Sequence, residues 1–299
     1  MRERDWIKEF LDYLVIERQY SEKTQKAYKD DIRDFLIFLD NTGQSDYLKV
    51  DYQDIRLYLA ELHDKEYSRN STGRKISSLR SFYQYLLRQE LVQENPFTYV
   101  QLRKNNLRLP RFFYEKEMDA LFEAAQGERA LDKRNQALLE TLYATGIRVS
   151  ECAGMKLSDI DFELNVILIR GKGNKERYVP FGSHCEEALQ TYFDSARIEL
   201  LKKNKKKNDF VFINHHGESL TPQGITYILK TVINKSSLTS SIHPHMLRHT
   251  FATHLLNNGA DMRTVQELLG HASLASTQIY AHVTKEKLQK SYRDFHPRA

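Results

Sequence analysis

The stretch Ile242-His-Pro-His-Met-Leu-Arg-His-Thr-Phe251 opens a helix. Pro244 suits a first helical position, where a missing N–H costs nothing. Leu247, Phe251 and Leu255 recur at every fourth residue, which predicts a face turned to a core. His245 and Arg248 are three apart and share a neighbouring face at the helix start, where the amides and the helix dipole already favour an anion. Downstream, Gly259 breaks the helix and Asp261 is a candidate cap for the next, expected to bury Met262, Val265, Leu268 and Leu269. Gly270 ends that helix and His271 follows at once. Tyr280 comes nine residues later and, among 17 tyrosines, means nothing alone.

Upstream of this region, Thr145-Gly-Ile-Arg148-Val-Ser-Glu151 sets an arginine just past a glycine at a helix end, with Glu151 three residues on and able to pair with it if a helix resumes. Helices are expected over Tyr114–Ala125 and Arg134–Ala144. The period then changes. Asn165-Val-Ile-Leu-Ile-Arg170 and Arg177-Tyr-Val-Pro-Phe181 are short and rich in β-branched residues, with the polar run Gly171-Lys172-Gly173-Asn174-Lys175-Glu176 between them. This predicts an antiparallel β-hairpin with Lys172 at its tip. Phe210-Val-Phe-Ile213 is a candidate third strand.

The first 100 residues carry no strand signal and predict four helices. They run over about Arg4 to Arg18, from a cap at Ser21 to Gly43, from a cap at Asp51 through Leu62, and over about Asn70 to Gln89. Asn95-Pro96 stops the pattern. The basic stretch Gln101 to Arg111 reads as a linker. Residues 1–105 hold 18 basic and 18 acidic side chains, so the net charge of +5 sits entirely in the rest. Tyr67 to Gln89 nonetheless has Arg69, Arg74, Lys75, Arg80 and Arg88 and no acid. Such a face suits a phosphate backbone, although a merely solvated helix face has the same composition.

A chain of 299 residues is comfortable as two domains. Its N-terminus has no apolar signal segment, no stretch approaches the ~20 apolar residues of a membrane helix, and Cys152 and Cys185 form neither a disulfide framework nor a metal site. A cytoplasmic protein with reduced thiols is expected.

Taken together these segments resemble the tyrosine recombinase (phage integrase) family, whose signature is Arg, Lys, His-x-x-Arg, His or Trp, and Tyr, in that order. Here it reads Arg148, Lys172, His245-x-x-Arg248, His271 and Tyr280, within the words Ala144-Thr-Gly-Ile-Arg-Val-Ser-Glu151, His243-Pro-His-Met-Leu-Arg-His-Thr-Phe-Ala-Thr-His254 and Leu268-Leu-Gly-His-Ala272. Ser21-x-x-Thr24-x-x-x-Tyr28 and Arg74-x-x-x-x-Leu79-Arg80-x-Phe82-Tyr83 extend the likeness into the first domain. The short tail ending His296-Pro-Arg-Ala299 looks like the Xer branch. One departure is Cys152, where leucine usually follows the glutamate.

The resemblance implies a mainly α fold: a four-helix core-binding (SAM-like) domain over 1–100, a linker over 101–111, and a mixed α+β catalytic domain with a small antiparallel sheet over 112–299. It implies a DNA strand transferase that needs neither metal nor ATP nor any cofactor. Tyr280 is the implied nucleophile, Arg148 and Arg248 hold the non-bridging oxygens, and Lys172 is the general acid. His245 shuttles a proton, His271 bonds the phosphate, and Glu151 supports Arg148. Arg69, Arg74, Lys75 and Arg80 are the DNA-binding candidates. Implied partners are double-stranded DNA with a dif-like site, the paralogous recombinase XerD in a heterotetramer, and an FtsK-type DNA translocase. Leu288, Tyr292 and Phe295 look like an exchanged C-terminal helix, with packing in cis as the plain alternative. A mobile-element integrase, a type IB topoisomerase and a non-catalytic DNA-binding protein are the competing readings.

Overall fold

Three of the four predicted helices of the N-terminal segment start at a side-chain cap. The computed structural model describes residues 5–18, 20–44, 46–101, 111–171, 176–202, 204, 208–236, 238, 244–270 and 281–299, without the side chains of 244, 245 and 281–287. The chain divides into two units, Met1–Arg108 and Leu109–Ala299.

In the first unit, α1 (Trp6–Ile16) starts where the Asp5 carboxylate accepts from the Lys8 amide at 3.1 Å. Ser21 holds the N-cap position of α2 (Glu22–Thr42), with its hydroxyl on that of Thr24 and not on a helix amide, and Gly43 closes the helix in the left-handed conformation, φ +84°. Asp51 and Asp54 form a reciprocal capping box on α3 (Tyr52–Asp64), and Ser68 caps α4 (Arg69–Arg88). The apolar stripes meet in one core of Phe10, Leu14, Ile32, Phe35, Ile55, Leu79 and Tyr83. Phe35 lies edge-on to Tyr58 and Phe97. The residues after α4 are tied down by Arg80, which donates to the carbonyls of Phe97 (3.0 Å) and Val100 (2.8 Å).

In the second unit, α5 (Glu115–Ala125) packs on α6 (Ala130–Thr145), which is buried along most of its length. A turn at Gly146 leads to α7 (Val149–Gly154). The three-stranded antiparallel sheet follows, in the order β1 (Ile160–Asp161), β2 (Val166–Arg170), β3 (Glu176–Pro180). Val166 faces Pro180 and Arg170 faces Glu176. Pro180 lies on an edge strand, where its missing N–H does little harm. Then α8 (Ser183–Thr191) runs through a π-helical turn, Tyr192–Arg197, into α9 (Ile198–Leu201). Four helices complete the unit: α10 (Pro222–Lys235), α11 (Pro244–Asn257), α12 (Met262–Leu269) and α13 (Ala281–Phe295).

Two local expectations are corrected. Phe210–Ile213 forms no strand of the sheet, and makes only isolated bridges at its ends. Three of its carbonyls are taken by side chains instead: Arg197 donates to Phe210 and Val211, and Arg134 to Ile213, while the Phe212 carbonyl accepts from the Leu220 amide. The third strand is Ile160–Asp161. Met262 is exposed rather than buried, because the first turn of α12 faces away from the core that Val265, Leu268 and Leu269 enter. In this single chain Leu288, Tyr292 and Phe295 pack on the core of the second unit, with Tyr292 only 1% exposed. The residues that follow are pinned as well, since the Arg298 guanidinium grips both oxygens of Glu140. Removing everything past Thr284 would therefore open the core.

Candidate active site

Arg148 and Glu151 are placed by the turn between α6 and α7. Gly146 takes φ +58°, and a Cβ there would stand 2.4 Å from the Phe251 ring. Only glycine fits both the conformation and the approach. Ile147 is buried behind it and turns the Arg148 side chain outward, 42% exposed. Arg148 is the N-cap of α7. Its backbone N–H donates to Glu151 Oε2 at 2.8 Å, and its guanidinium donates to Glu151 Oε1 at 2.9 Å.

Arg248 arrives from α11, whose Leu247, Phe251 and Leu255 are buried as their spacing predicts. Its Nη1 donates to the Gly146 carbonyl and its Nη2 to the Leu269 carbonyl, each at 2.6 Å. The first of these bonds ties α11 to the turn before Arg148, and the second ties it to the last residue of α12. Burial pushes Arg248 down to about 10, and the nearby Arg148 cation acts in the same direction. Two further residues hold α11 to the start of the unit. Thr250 Oγ1 accepts from the Phe113 amide at 2.9 Å. The buried His254 ring lies between the Phe113 carbonyl (2.8 Å) and the Tyr143 hydroxyl (2.7 Å), and burial lowers its pKa.

The sequence reading missed Arg177. From β3, its Nη1 and Nη2 donate to the two Glu151 oxygens at 3.2 and 2.9 Å, and its Nε to the Leu268 carbonyl at 3.1 Å. Burial alone would raise the Glu151 carboxyl. The hydrogen bonds from Arg177 and Arg148 outweigh it and hold that carboxyl below the ordinary glutamate range. Three guanidiniums around one carboxylate leave a local charge of +2 among the described residues. A partly exposed, net-positive cluster of planar donors suits the oxygens of a phosphodiester. In the sequence, Arg177 is marked only as a charge at the start of a strand. Nothing local says which carboxylate it reaches.

Of the expected site, Arg148, Glu151 and Arg248 are thus brought together. Lys172, His271 and Tyr280 lie outside the described residues, as does the side chain of His245, although that residue is the second of α11. Lys172 falls in the connection between β2 and β3, and His271 directly after the Gly270 cap of α12.

The DNA-binding candidates on α4 differ among themselves. Arg69 is exposed. Arg74 is half-exposed and donates to Asp31 at 2.5 Å. Arg80 spends its donors on backbone carbonyls, as described above. Lys75 is corrected: it is 2% exposed, and its ammonium lies between Asp34 at 2.6 Å and Asp31 at 3.4 Å. The acid-free run on α4 is answered by acids of α2, which the linear charge pattern does not reveal. Most of the expected linker, 102–110, lies outside the described residues. No helix among the described residues is long and apolar enough to cross a membrane.

Comparison with known proteins bears on the whole chain. Residues 111–287 match the family model described as phage integrase family, and residues 7–90 match the phage integrase N-terminal SAM-like domain. The tyrosine recombinase XerC of Listeria innocua is 59% identical over 98% of this chain and 97% of its own. That of Pediococcus pentosaceus is 58% identical over 97% of each chain. The Xer branch, and the XerC paralogue within it, is where these relatives fall. The crystal structure of the XerH site-specific recombinase on a palindromic difH substrate, a post-cleavage complex, shares the fold. Its TM-score is 0.70 at 23% identity, covering 96% of this chain and 94% of that one. With both units matched and more than half of all positions shared over nearly full length, the chain belongs to the phage integrase family and is a site-specific DNA recombinase of the tyrosine class.

Proposed function

We propose that this recombinase cuts and rejoins duplex DNA through a 3′-phosphotyrosyl intermediate on Tyr280, and that Arg148 and Arg248 grip the scissile phosphate. The observation that carries this reading is the convergence of those two arginines with Arg177 and Glu151. Arg148 and Arg177 bond the Glu151 carboxylate, Arg248 lies within electrostatic reach of it, and the surplus positive charge suits an anion.

The Tyr280 hydroxyl attacks phosphorus, the bond from phosphorus to the 5′-oxygen breaks, and a phosphotyrosyl ester keeps the bond energy for rejoining. Lys172 gives its proton to the departing 5′-oxygen, and His245 takes or relays the proton of Tyr280, whose unperturbed pKa of ~10 calls for help. His271 bonds the phosphate. Arg148 and Arg248 offset the charge that develops on the non-bridging oxygens. Glu151 orients Arg148. Arg69 and Arg74 on α4 contact the DNA backbone. The resemblance to the Xer branch, in which relatives named XerC fall, underlies the further reading that this recombinase resolves chromosome dimers at a dif-like site, with XerD as partner in a heterotetramer and an FtsK-type translocase as activator.

The test is trapping on a nicked suicide duplex carrying a dimer-resolution site, run on a denaturing gel. Wild type is expected to give a covalent adduct, and Tyr280→Phe none. An adduct with both moves the nucleophile elsewhere. DNA binding without an adduct, even after the paralogue is added, leaves only a DNA-binding protein. Lys172→Ala should regain cleavage on a duplex with a 5′-thio leaving group, which needs no acid. Failure to regain it sinks the general-acid assignment.

A further inference from the structure

Arg177 stands outside the signature of the family, yet it bridges two segments of the site. Its guanidinium is 15% exposed and uses three donors on two partners, the Glu151 carboxylate and the Leu268 carbonyl. The Leu268 carbonyl belongs to the last turn of α12, where carbonyls lack intrahelical acceptor bonds and a cation is favoured. The next carbonyl, that of Leu269, is held by Arg248. Gly270 caps the helix at φ +65°, and a Cβ there would lie 2.9–3.0 Å from Cδ, Nε and Cζ of Arg177. The glycine thus serves the left-handed cap and also the passage of the guanidinium across it. From this cap the chain continues into His271 and on to Tyr280. At its other end, Arg177 lies on the strand that follows the connection carrying Lys172.

We infer that Arg177 is a positioning residue for DNA cleavage: it clamps Glu151 so that Arg148 keeps one orientation, and it anchors the end of α12 from which the nucleophile segment departs. This rests on the reading of Arg148, Arg248 and Tyr280 given above. A planar fork is needed to reach both partners at once. An ammonium on a flexible stem reaches one. Arg177→Lys therefore keeps a charge beside Glu151 and gives up one contact, whereas Arg177→Met keeps bulk and gives up both.

The experiment compares full-length wild type, Arg177→Lys, Arg177→Met and Tyr280→Phe in single-turnover cleavage of the same nicked suicide duplex, at saturating protein and across pH. Duplex affinity and thermal unfolding are measured alongside, and the paralogue is added to every arm if wild type requires it. Misplacing reacting groups by about 1 Å costs on the order of 100-fold, so Arg177→Met should cleave about 100-fold more slowly and Arg177→Lys about tenfold. Both should bind the duplex within about twofold of wild type, because positioning acts on the rate at saturation. Among the described residues, the charged groups facing Glu151 are Arg148, Arg177 and Arg248. Without Arg177 the buried carboxyl takes up a proton at higher pH, so the acidic limb of the rate profile of Arg177→Met should move to higher pH. A merely structural role would leave that limb in place. The inference is overturned if both variants cleave within about twofold of wild type, if the whole loss lies in affinity, or if the limb does not move. Should Arg177→Met not fold, the saturated rate of Arg177→Lys decides. An adduct that survives Tyr280→Phe, or no adduct from wild type, defeats the site reading itself and not this inference alone.

Discussion

The carbonyl of Gly146 accepts a 2.6 Å hydrogen bond from Arg248, across 102 residues of sequence. The turn that presents Arg148 and the helix that presents Arg248 are therefore one structure. A disturbance of the turn reaches both arginines.

Gly146→Ala tests that unity. The alanine must adopt φ +58°, which costs roughly 1–2 kcal/mol, and its methyl group drives into the Phe251 ring. Overpacking adds about 1–3 kcal/mol. Denaturant unfolding of the full chain should show a loss of about 2–5 kcal/mol in the catalytic unit. A change under 1 kcal/mol would mean that the turn yields easily and does not constrain the site.

Arg248→Lys should change the pH response as well as the rate. Burial and the Arg148 cation already push the arginine down to about 10. The same surroundings act on an ammonium whose ordinary pKa is ~10.4, so the lysine loses its proton at a lower pH than the arginine does. The cation is present below that pKa and lost as pH rises through it. Suicide-substrate cleavage by Arg248→Lys should be on the order of 100-fold slower near neutral pH, with an alkaline limb at lower pH than that of wild type. Coincident limbs would contradict this.

Lys75→Met should act on stability and not through loss of a phosphate contact. The lysine neutralises Asp31, which is 1% exposed, and Asp34. Asp31 keeps its bonds from Arg74 and Ser78, and Asp34 is half-exposed, so the loss is that of one charged hydrogen-bonded partner, about 1–3 kcal/mol. Chemical unfolding should show the helical unit losing about that much. A variant of undiminished stability with weaker duplex binding would restore Lys75 as a DNA contact.

His296 gives the catalytic unit an acid sensitivity. Its ring is 5% exposed, stacked on Tyr292 and packed against Tyr143 and Phe251, with Nδ1 accepting from the Arg298 amide. Burial pushes the imidazole down to about 3, and the neighbouring His254 and Arg298 act in the same direction. The unfolded chain takes up this proton near pH 6.5, so stability is full above that pH and falls as pH drops from about 6.5 toward about 3. By pH 5 the loss is about 2 kcal/mol. In His296→Phe that part of the pH dependence should vanish from the unfolding midpoints. Parallel curves for wild type and variant would refute the assignment.

Much of the architecture was legible because it is local. Asp51 and Asp261 cap the helices they precede, Ser21 stands at the start of its helix, and Gly43 and Gly270 close theirs in the left-handed conformation. The hairpin strands sit where β-branched residues cluster. The order of Arg148, His245-x-x-Arg248 and Tyr280 pointed to the family without any coordinates.

Interactions within a few residues write themselves into spacing, and the sequence by itself therefore determined the helices, the hairpin, the two-part organisation and the family. Tertiary structure alone decided the rest. It turned Lys75 inward onto acids of another helix, gave the carbonyls of Phe210, Val211 and Ile213 to Arg197 and Arg134, and laid Tyr292 into the core of its own chain. It also set Arg177 between Glu151 and the end of α12, 26 and 91 residues away. The reason is common to all four. A charge or a carbonyl has the same letter whether it meets water or a partner, and the partner is chosen by packing between segments far apart in the chain.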